Sequence, residues 1–283
     1  MNILVTGSNG QVGNELQTLA KTYPNFSFVF VDKEDLDIGD KDAVLAFFEA
    51  QPFHYCINCA AYTAVDKAES DIKTAHLVNA LGPQYIALAC QKHQTRLVQI
   101  STDYVYHNNQ NFPFKESDAT NPQSVYGRTK LEGEQLASDN NPETLIIRTS
   151  WVYSSFGNNF VKTMIRLGND RDQLSIIFDQ IGSPTYARDL AKAILDIVQQ
   201  NPSDFKGIYH YSNEGVCSWF DFAQAIFELE GIDCKTSPIE TKDYPTPAKR
   251  PHFSLLNKNK IKATFALEVP YWRDSLKTCL ALL

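Results

Sequence analysis

The sequence predicts an α/β protein with a doubly wound parallel sheet and a smaller C-terminal lobe. Up to residue 150, short apolar runs alternate with stretches of helical spacing, which is typical of successive βαβ units. The apolar runs contain few polar positions, as expected of strands that are covered on both faces. A glycine-rich turn directly after the first run is a third indication of this fold class.

The N-terminal half carries five predicted strands and four predicted helices. We expect the strands at 2–6, 26–31, 55–60, 97–101 and 144–148. We expect the helices at 10–21, from Asp40 through Phe48, from about 74 to 93 and at 126–137. Asp40 is a suitable N-cap, and Gly82-Pro83 is a candidate break in the third helix.

After Ser150 the pattern becomes less regular. Glycine, proline and aromatic residues become more frequent, and 240–256 is rich in Pro, Lys and Arg. We therefore expect residues 151–283 to form mostly a second, smaller lobe. We also expect two segments, about 184–200 and 218–230, to return to the domain formed by residues 1–150.

Composition narrows the class of partner. The formal net charge of -7 argues against nucleic acid or an anionic membrane as the main partner. No leader is expected, and no apolar run approaches the roughly 20 residues that span a bilayer. We expect a cytoplasmic protein with a small-molecule substrate, and a homodimer is a candidate assembly.

Six scattered cysteines fit reduced thiols better than a disulfide framework. Cys56 and Cys59 form a C-x-x-C pair, which is compatible with a redox pair or half a zinc site. No second pair accompanies them. We interpret both as small apolar residues of the predicted third strand.

Gly7, Gly10 and Gly13 form the turn between the first strand and the first helix. Glycines allow a tight turn, close approach to a pyrophosphate and close packing of helix on strand. Asp32 ends the second strand, 19 positions after Gly13, near the interval expected for the ribose-binding acid of a Rossmann-type domain. Residues 1–150 are therefore predicted to bind NADH or NADPH. Asp32 favours NADH, whereas the neighbouring Lys33 suits the phosphate of NADPH.

Tyr126 and Lys130 form a Y-x-x-x-K pair. On a helix the two side chains share one face, so the ammonium group is expected to lower the pKa of the phenol. Such a tyrosine donates a proton to a carbonyl oxygen as hydride reaches the carbon. Thr102 ends the fourth strand, where ligands of doubly wound sheets bind, and can hydrogen-bond to the same oxygen.

Segments across nearly the whole chain resemble extended short-chain dehydrogenases/reductases, and more closely the dTDP-4-dehydrorhamnose reductase family. These segments are MNILVTGSNGQVG (1–13), NCAAYTAVDKAE (58–69), STDYVY (101–106), VYGRTKLEGE (125–134), RTSWVY (148–153), GNNFVKTM (157–164), DQIGSPTYARDLA (179–191) and YPTPAKRPHFSLLN (244–257). The resemblance implies NAD(P)H-dependent reduction of the 4-keto group of dTDP-4-dehydro-L-rhamnose to dTDP-L-rhamnose.

The resemblance also implies three groups of site residues. The catalytic residues would be Tyr126, Lys130 and Thr102. The cofactor would be bound by Gly7, Gly10, Gln11, Val12, Gly13, Asp32, Asp37, Ile38, Ala61, Tyr62 and Thr63, together with Tyr126 and Lys130. The dTDP-sugar would be bound by Thr102, Asp103, Trp151, Asn158, Asn159 and Arg250.

Several of these residues have a structural alternative. Trp151 is equally compatible with a position in the core. Asn158-Asn159 could form a helix cap, and Arg250 could be a solvated surface charge. Arg148 lies inside an apolar strand, which favours a structural ion pair over a ligand.

We expect no metal in the chemistry. Some family members are thought to use Mg²⁺, which binds to convergent carboxylates. Acids such as Glu15 and Asp189 are present, but their spacing does not require a metal.

Three other functions compete with the reductase. Nucleotide-sugar dehydratases typically carry Thr-Asp-Glu where this chain has Thr102-Asp103-Tyr104, which argues against a dehydratase. A 4-epimerase would retain its bound nicotinamide cofactor. A non-catalytic binding module, resembling the regulatory subunit of methionine adenosyltransferase, would not need the complete set of Thr102, Tyr126 and Lys130.

Overall fold

The computed structural model describes residues 1–283, and its apolar runs form strands. The strands are β1 (Asn2–Thr6), β2 (Ser27–Val31), β3 (Tyr55–Asn58), β4 (Arg96–Thr102), β5 (Thr144–Thr149), β6 (Val152–Tyr153), β7 (Gln173–Ile177), β8 (Ile181–Gly182), β9 (Thr185–Tyr186), β10 (Gly207–His210), β11 (Cys217–Ser218) and β12 (Lys235–Ile239). The five strands predicted before residue 150 are confirmed to within two residues at each end.

Six of these strands form one parallel sheet in the order β10-β5-β4-β3-β1-β2. From β1 the chain goes to β2 on one side and then to β3 on the other. In sheets of this type, ligands bind beyond the carboxyl ends of the strands at this switch point. The topology therefore places the ligand-binding crevice beyond the ends of β1 and β3.

Eleven α-helices surround and extend the sheet. They are α1 (Gln11–Ala20), α2 (Lys41–Ala50), α3 (Val65–Ala68), α4 (Ile72–His76), α5 (Gly82–Lys92), α6 (Val125–Asn140), α7 (Phe160–Asp170), α8 (Ala187–Gln200), α9 (Trp219–Glu230), α10 (Asn259–Phe265) and α11 (Trp272–Leu280). None of these helices combines the length and the apolar character that a membrane span requires.

The helical stretch predicted at 74–93 begins earlier and contains a π-helical turn over Leu77–Leu81. Proline has no backbone N–H and displaces the carbonyl four residues before it. Pro83 therefore disrupts the regular ladder, and the Gly82 N–H donates to Leu77 O instead. The carbonyl of Asn79 then lies against α6 so closely that any side chain on Gly133 would clash with it.

Two buried clusters cover the two faces of the sheet. On one face Ile3 and Val5 pack with α1 and α8, including Ile194. On the other face Leu4 and Cys56 pack with α2 and α5. Successive residues of β1 thus point to opposite faces, as expected of a strand covered on both sides.

A separate buried cluster lies outside the central sheet and is formed by α7, α9, α11 and β7. Within the predicted return segment 184–200, α8 packs on α1 in the core of the sheet. Within 218–230, α9 packs in the separate cluster through Phe222 and Ile226. We propose that 184–200 returns to the cofactor domain, whereas α9 belongs to the substrate lobe.

Each of the six cysteines is a free thiol, and all but Cys59 are buried. Cys56 lies in β3 and Cys59 directly after it. Burial raises the pKa of the Cys59 thiol to about 12. The thiol form therefore dominates near neutral pH.

Candidate active site

The turn after β1 requires glycine for two physical reasons. Gly7 has a φ of +65°, and a side chain there would come within 2.6 Å of the Ala60 nitrogen. Gly10 is the N-cap of α1, and no side chain caps this helix. The N–H groups of the first helical turn are therefore available to an anion. These features fit the pyrophosphate of a nicotinamide dinucleotide.

Asp32 follows β2 beside this turn. Its Oδ2 accepts a hydrogen bond from the Asn9 N–H at 2.7 Å, and its Oδ1 accepts one from the Lys33 N–H at 2.7 Å. The carboxylate is thereby fixed next to the glycine turn. Further along, Asp37 accepts a hydrogen bond from Gly39, while Ile38 is buried against Gly82.

The segment 61–63 follows β3 and is held by a residue that the sequence analysis missed. Asn79 is buried in the π-helical turn. Its amide accepts from the Tyr62 N–H at 2.8 Å and donates to the Tyr62 carbonyl at 3.1 Å. The same amide lies 3.3 Å from Thr129 Oγ1 on α6. An isolated asparagine in an apolar helical stretch, just before Gly-Pro, is the signal that marks it.

Thr102 and Tyr126 lie together at the carboxyl end of β4. Ser124 caps α6 by accepting a hydrogen bond from the Gly127 N–H at 3.0 Å. A side chain on Gly127 would come within 2.5 Å of the Tyr104 carbonyl, so the helix packs directly on this end of the strand. The Thr102 hydroxyl lies close enough to the Tyr126 phenol to lower its pKa.

The electrostatics of Tyr126 differ from the prediction. Burial around the hydroxyl raises the pKa of Tyr126 to about 12, the Thr102 hydroxyl lowers it, and the Asp103 charge raises it. Lys130 is not among the groups that shift this pKa, and its Nζ donates to the Ile100 carbonyl at 2.7 Å. Burial lowers the pKa of Lys130 to about 8, and Glu134 raises it. Tyr126 thus keeps its proton near neutral pH, as a proton donor must.

Asp103 is buried without a full set of partners. Its Oδ1 accepts a hydrogen bond from Thr102 Oγ1 at 3.1 Å, whereas its Oδ2 makes no hydrogen bond. Burial raises the pKa of Asp103 to about 6, although the nearby Ser254 hydroxyl lowers it. A buried unpaired acceptor is costly, so this oxygen is suited to a ligand hydroxyl.

Replacing Asp103 with Asn should stabilise the protein at pH 7 by about 2 kcal/mol and have little effect at pH 4. Because the folded pKa is about 6, above the unfolded value near 4, the folded state holds more protons between these pH values. Wild-type stability therefore falls as pH rises through this window, and the variant lacks this loss. Urea unfolding at both pH values, with exposed Asp233→Asn as control, tests this. A gain equal at both pH values would contradict it.

Trp151 follows β5 and has one face covered. Its indole stacks on Trp219 with ring centroids 3.6 Å apart and planes 10° apart. The ring is still partly exposed. Trp151 is therefore not a fully buried core residue.

Asn158 and Asn159 lie in different environments. Asn158 is exposed, whereas Asn159 caps α7 by accepting from the Lys162 N–H at 3.1 Å. The Asn159 amide also donates to Gln11 Oε1 at 3.0 Å, and Gln11 Nε2 donates to the Val152 carbonyl at 3.3 Å. Gln11 thus connects the glycine turn to the segment after β5.

Arg250 already has an acidic partner. Its guanidinium donates to both oxygens of Asp66, at 3.1 and 2.8 Å. Asp66 lies in α3, and Arg250 lies three residues before Phe253, which pairs with Ile181 of β8. The ion pair therefore connects α3 to the segment beside β8. Binding of a substrate diphosphate by Arg250 would require this pair to open or to be shared.

Arg148 forms the buried ion pair that its place in an apolar strand predicts. Its Nη2 lies 2.6 Å from Glu134 Oε2, and both side chains are 3% exposed. Ser101 Oγ donates to Glu134 Oε1 at 2.5 Å, and Arg148 Nη1 donates to the Tyr106 hydroxyl at 2.6 Å. Glu134 was not predicted as a site residue. It fixes α6 to the ends of β4 and β5, one helical turn beyond Lys130.

The acids considered for a metal have protein partners. Glu15 accepts hydrogen bonds from Ser154 at 2.6 Å and Arg188 at 2.7 Å. Asp189 accepts from the Asn213 amide at 2.7 Å and from the Ser275 hydroxyl at 2.5 Å. No group of three or more His, Cys, Asp or Glu side chains is arranged to hold a metal ion.

A doubly wound sheet with a glycine turn and a Thr-Tyr-Lys set at its carboxyl edge defines an extended short-chain dehydrogenase/reductase. The family model described as the RmlD substrate binding domain matches residues 1–283. The chain belongs to this family, that of the dTDP-4-dehydrorhamnose reductases.

Relatives and solved structures agree with this membership. A dTDP-4-dehydrorhamnose reductase of Aggregatibacter actinomycetemcomitans is 40% identical, with 97% of each chain covered. A crystal structure of a dTDP-4-dehydrorhamnose reductase from Clostridium acetobutylicum has a TM-score of 0.95 and 44% identity, covering 100% of this chain and 99% of that one. A dTDP-4-dehydrorhamnose reductase from Bacillus anthracis, solved in complex with NADP, has a TM-score of 0.95, 37% identity and the same coverage.

Proposed function

We propose that the protein reduces the 4-keto group of dTDP-4-dehydro-L-rhamnose to dTDP-L-rhamnose with NADH or NADPH. The observation that carries this proposal is the meeting of Thr102 and Tyr126 beside Lys130, at the edge of the sheet that carries the glycine turn. Membership of the family supports the substrate. The NADP complex of the Bacillus anthracis relative supports the cofactor class.

The glycine turn and Asp32 would hold NAD(P)H, which when bound would supply the hydride for carbon 4 of the sugar. Tyr126, which burial keeps protonated, donates its phenolic proton to the carbonyl oxygen. The Thr102 hydroxyl, which donates to Asp103 Oδ1 in this structure, would turn to the same oxygen and orient it. The Lys130 ammonium is mostly charged near neutral pH, because its pKa is about 8. It would stabilise the phenolate by turning toward it from the Ile100 carbonyl, to which its Nζ donates in this structure. Asp103 accepts a hydrogen bond from a sugar hydroxyl through its unpaired Oδ2.

The direct test is loss of nicotinamide absorbance on adding enzymatically generated dTDP-4-dehydro-L-rhamnose, with NADH and NADPH compared. We expect turnover and formation of dTDP-L-rhamnose. A folded protein that binds the cofactor but shows no turnover with either nicotinamide would contradict the proposal.

The same experiment separates the competing functions. A 4-epimerase or dehydratase would be purified with tightly bound NAD⁺ and would not consume external NAD(P)H. A regulatory subunit resembling that of methionine adenosyltransferase would form a stable complex with a partner enzyme and reduce no dTDP-sugar. The complete set of Thr102, Tyr126 and Lys130 favours an enzyme over the regulatory subunit, and Tyr104 in place of a glutamate argues against the dehydratase.

Cofactor preference, assembly and location are parts of the same proposal. Asp32 beside the glycine turn favours NADH, and the exposed Lys33 offers a charge for the phosphate of NADPH. We propose a homodimer acting in the cytoplasm. Sedimentation velocity of the purified protein and fractionation of the producing cells test these two statements.

A further inference from the structure

Trp151 combines two unfavourable features in one residue. Its φ of +49° lies in the left-handed region, which bulky side chains rarely adopt. Its indole stacks face to face on Trp219 with centroids 3.6 Å apart, although aromatic pairs generally prefer offset or edge-on arrangements. Such strain persists where the surroundings fix a residue, and this is common at functional sites.

The surroundings of Trp151 do fix it. Its carbonyl accepts a hydrogen bond from the Thr185 N–H at 3.1 Å. A side chain on Gly182 would come within 2.9 Å of Cε2 and Cζ2 of the indole, so this part of the ring lies close to the glycine backbone. Trp219 is fixed in turn, because its Nε1 donates to the buried Gln180 Oε1 at 3.1 Å.

The same residues connect Trp151 to the catalytic edge of the sheet. Thr149, two positions before Trp151, pairs with Thr102 across β5 and β4. A side chain on Gly182 would also come within 3.0 Å of Ser254 Oγ. The Ser254 N–H donates to the Ile181 carbonyl at 2.8 Å, and the Ser254 hydroxyl lies close enough to Asp103 to lower its pKa. The indole therefore adjoins the proposed sugar site, with one face covered by Trp219.

We propose that Trp219 is a positioning residue for the sugar: it holds the indole of Trp151 so that the exposed part of this half-buried ring packs against the apolar face of the deoxysugar. The inference rests on the proposed function. A ring that is already immobilised loses little conformational freedom when the ligand binds. Trp219 therefore acts on sugar affinity and has no part in proton or hydride transfer.

The test compares Trp219→Phe with Trp272→Phe. Trp272 packs in the same cluster, edge-on to Phe222 at 5.8 Å, and has no stacking contact with Trp151. We expect Trp219→Phe to raise KM for dTDP-4-dehydro-L-rhamnose about tenfold, with kcat and NADPH affinity changed less than about twofold. The matched control should leave KM unchanged.

Circular dichroism supplies a readout that is independent of turnover, because stacked indoles give an exciton couplet. The couplet should be lost in Trp219→Phe and in Trp151→Phe and retained in Trp272→Phe. If Trp219→Phe melts well below the wild type, Trp219→Tyr replaces it, and the same rise in KM is expected.

Two results would overturn the inference alone: a wild type without the couplet, or an unchanged KM in a folded Trp219 variant whose couplet is lost. A wild type that shows the couplet but reduces no dTDP-sugar would contradict the proposed function, and with it this role of Trp219.

Discussion

Replacing Tyr126 with Phe is expected to lower kcat about a thousandfold, since general acid catalysis typically contributes factors of about 10² to 10⁴. The variant loses the only atom that donates the proton in the proposed mechanism. Its ring still makes the edge-on contact with Tyr104, whose centroid lies 5.5 Å away. Steady-state rates with saturating NADPH, together with cofactor titrations and melting curves, measure the effect.

The matched control for this change is Tyr209→Phe. Tyr209 is a buried tyrosine of the sheet core, and its hydroxyl makes only a long contact of 3.5 Å with the Lys206 carbonyl. Removing this hydroxyl should leave kcat unchanged. If Tyr126→Phe retained more than about a tenth of the wild-type kcat, another group would have to supply the proton.

Replacing Glu134 with Gln is expected to lower the free energy of unfolding by about 3–5 kcal/mol, because Arg148 is left buried without its counter-ion. Both side chains are 3% exposed, so water cannot compensate for the lost carboxylate. The melting temperature should fall by roughly 10 °C. Urea and thermal unfolding of the purified variant measure both quantities.

Glu49→Gln provides the control for an exposed ion pair. Glu49 pairs with Lys92, and both side chains are 55% exposed. Removing that pair should cost less than about 1 kcal/mol. Similar destabilisation in both variants would mean that burial does not set the strength of the Glu134–Arg148 pair. Replacing Glu134 and Arg148 together by Met should recover part of the loss.

The sequence predicted those parts of the fold that short stretches of the chain determine by themselves. β1 to β5 are apolar runs because both faces of each strand are covered. β10 was missed because its four residues, Gly207 to His210, give no such run. Its place in the sheet comes from pairing with β5, for example Tyr209 with Ile147. The break near Gly82-Pro83 was expected at about the right place, but the π-helical turn before it depends on packing against α6.

In the candidate site, too, local spacing predicted some residues, whereas others depend on contacts between distant parts of the chain. The pairing of Tyr126 with Lys130 on one helix face follows from spacing alone, and Thr102 follows from its place at a strand end. The direction in which the Lys130 ammonium points does not follow from spacing, because its acceptor is the carbonyl of Ile100 in β4. Asn79 is marked by its isolation in an apolar helical stretch, but its partner Tyr62 is not. Trp219 contacts Trp151 from a distant part of the chain, so no local pattern indicates its role.

The inward face of α6 has a consequence for how such enzymes diverge. Within nine positions this face carries the proposed proton donor Tyr126, Lys130, Gly133 against the Asn79 carbonyl, and Glu134 of the buried pair. Nearly every mutation there alters chemistry or folding. In the proposed site the sugar-facing side chains Asp103 and Trp151 instead come from the segments after β4 and β5. New substrate preferences can therefore arise in those segments while the reductive chemistry is inherited unchanged.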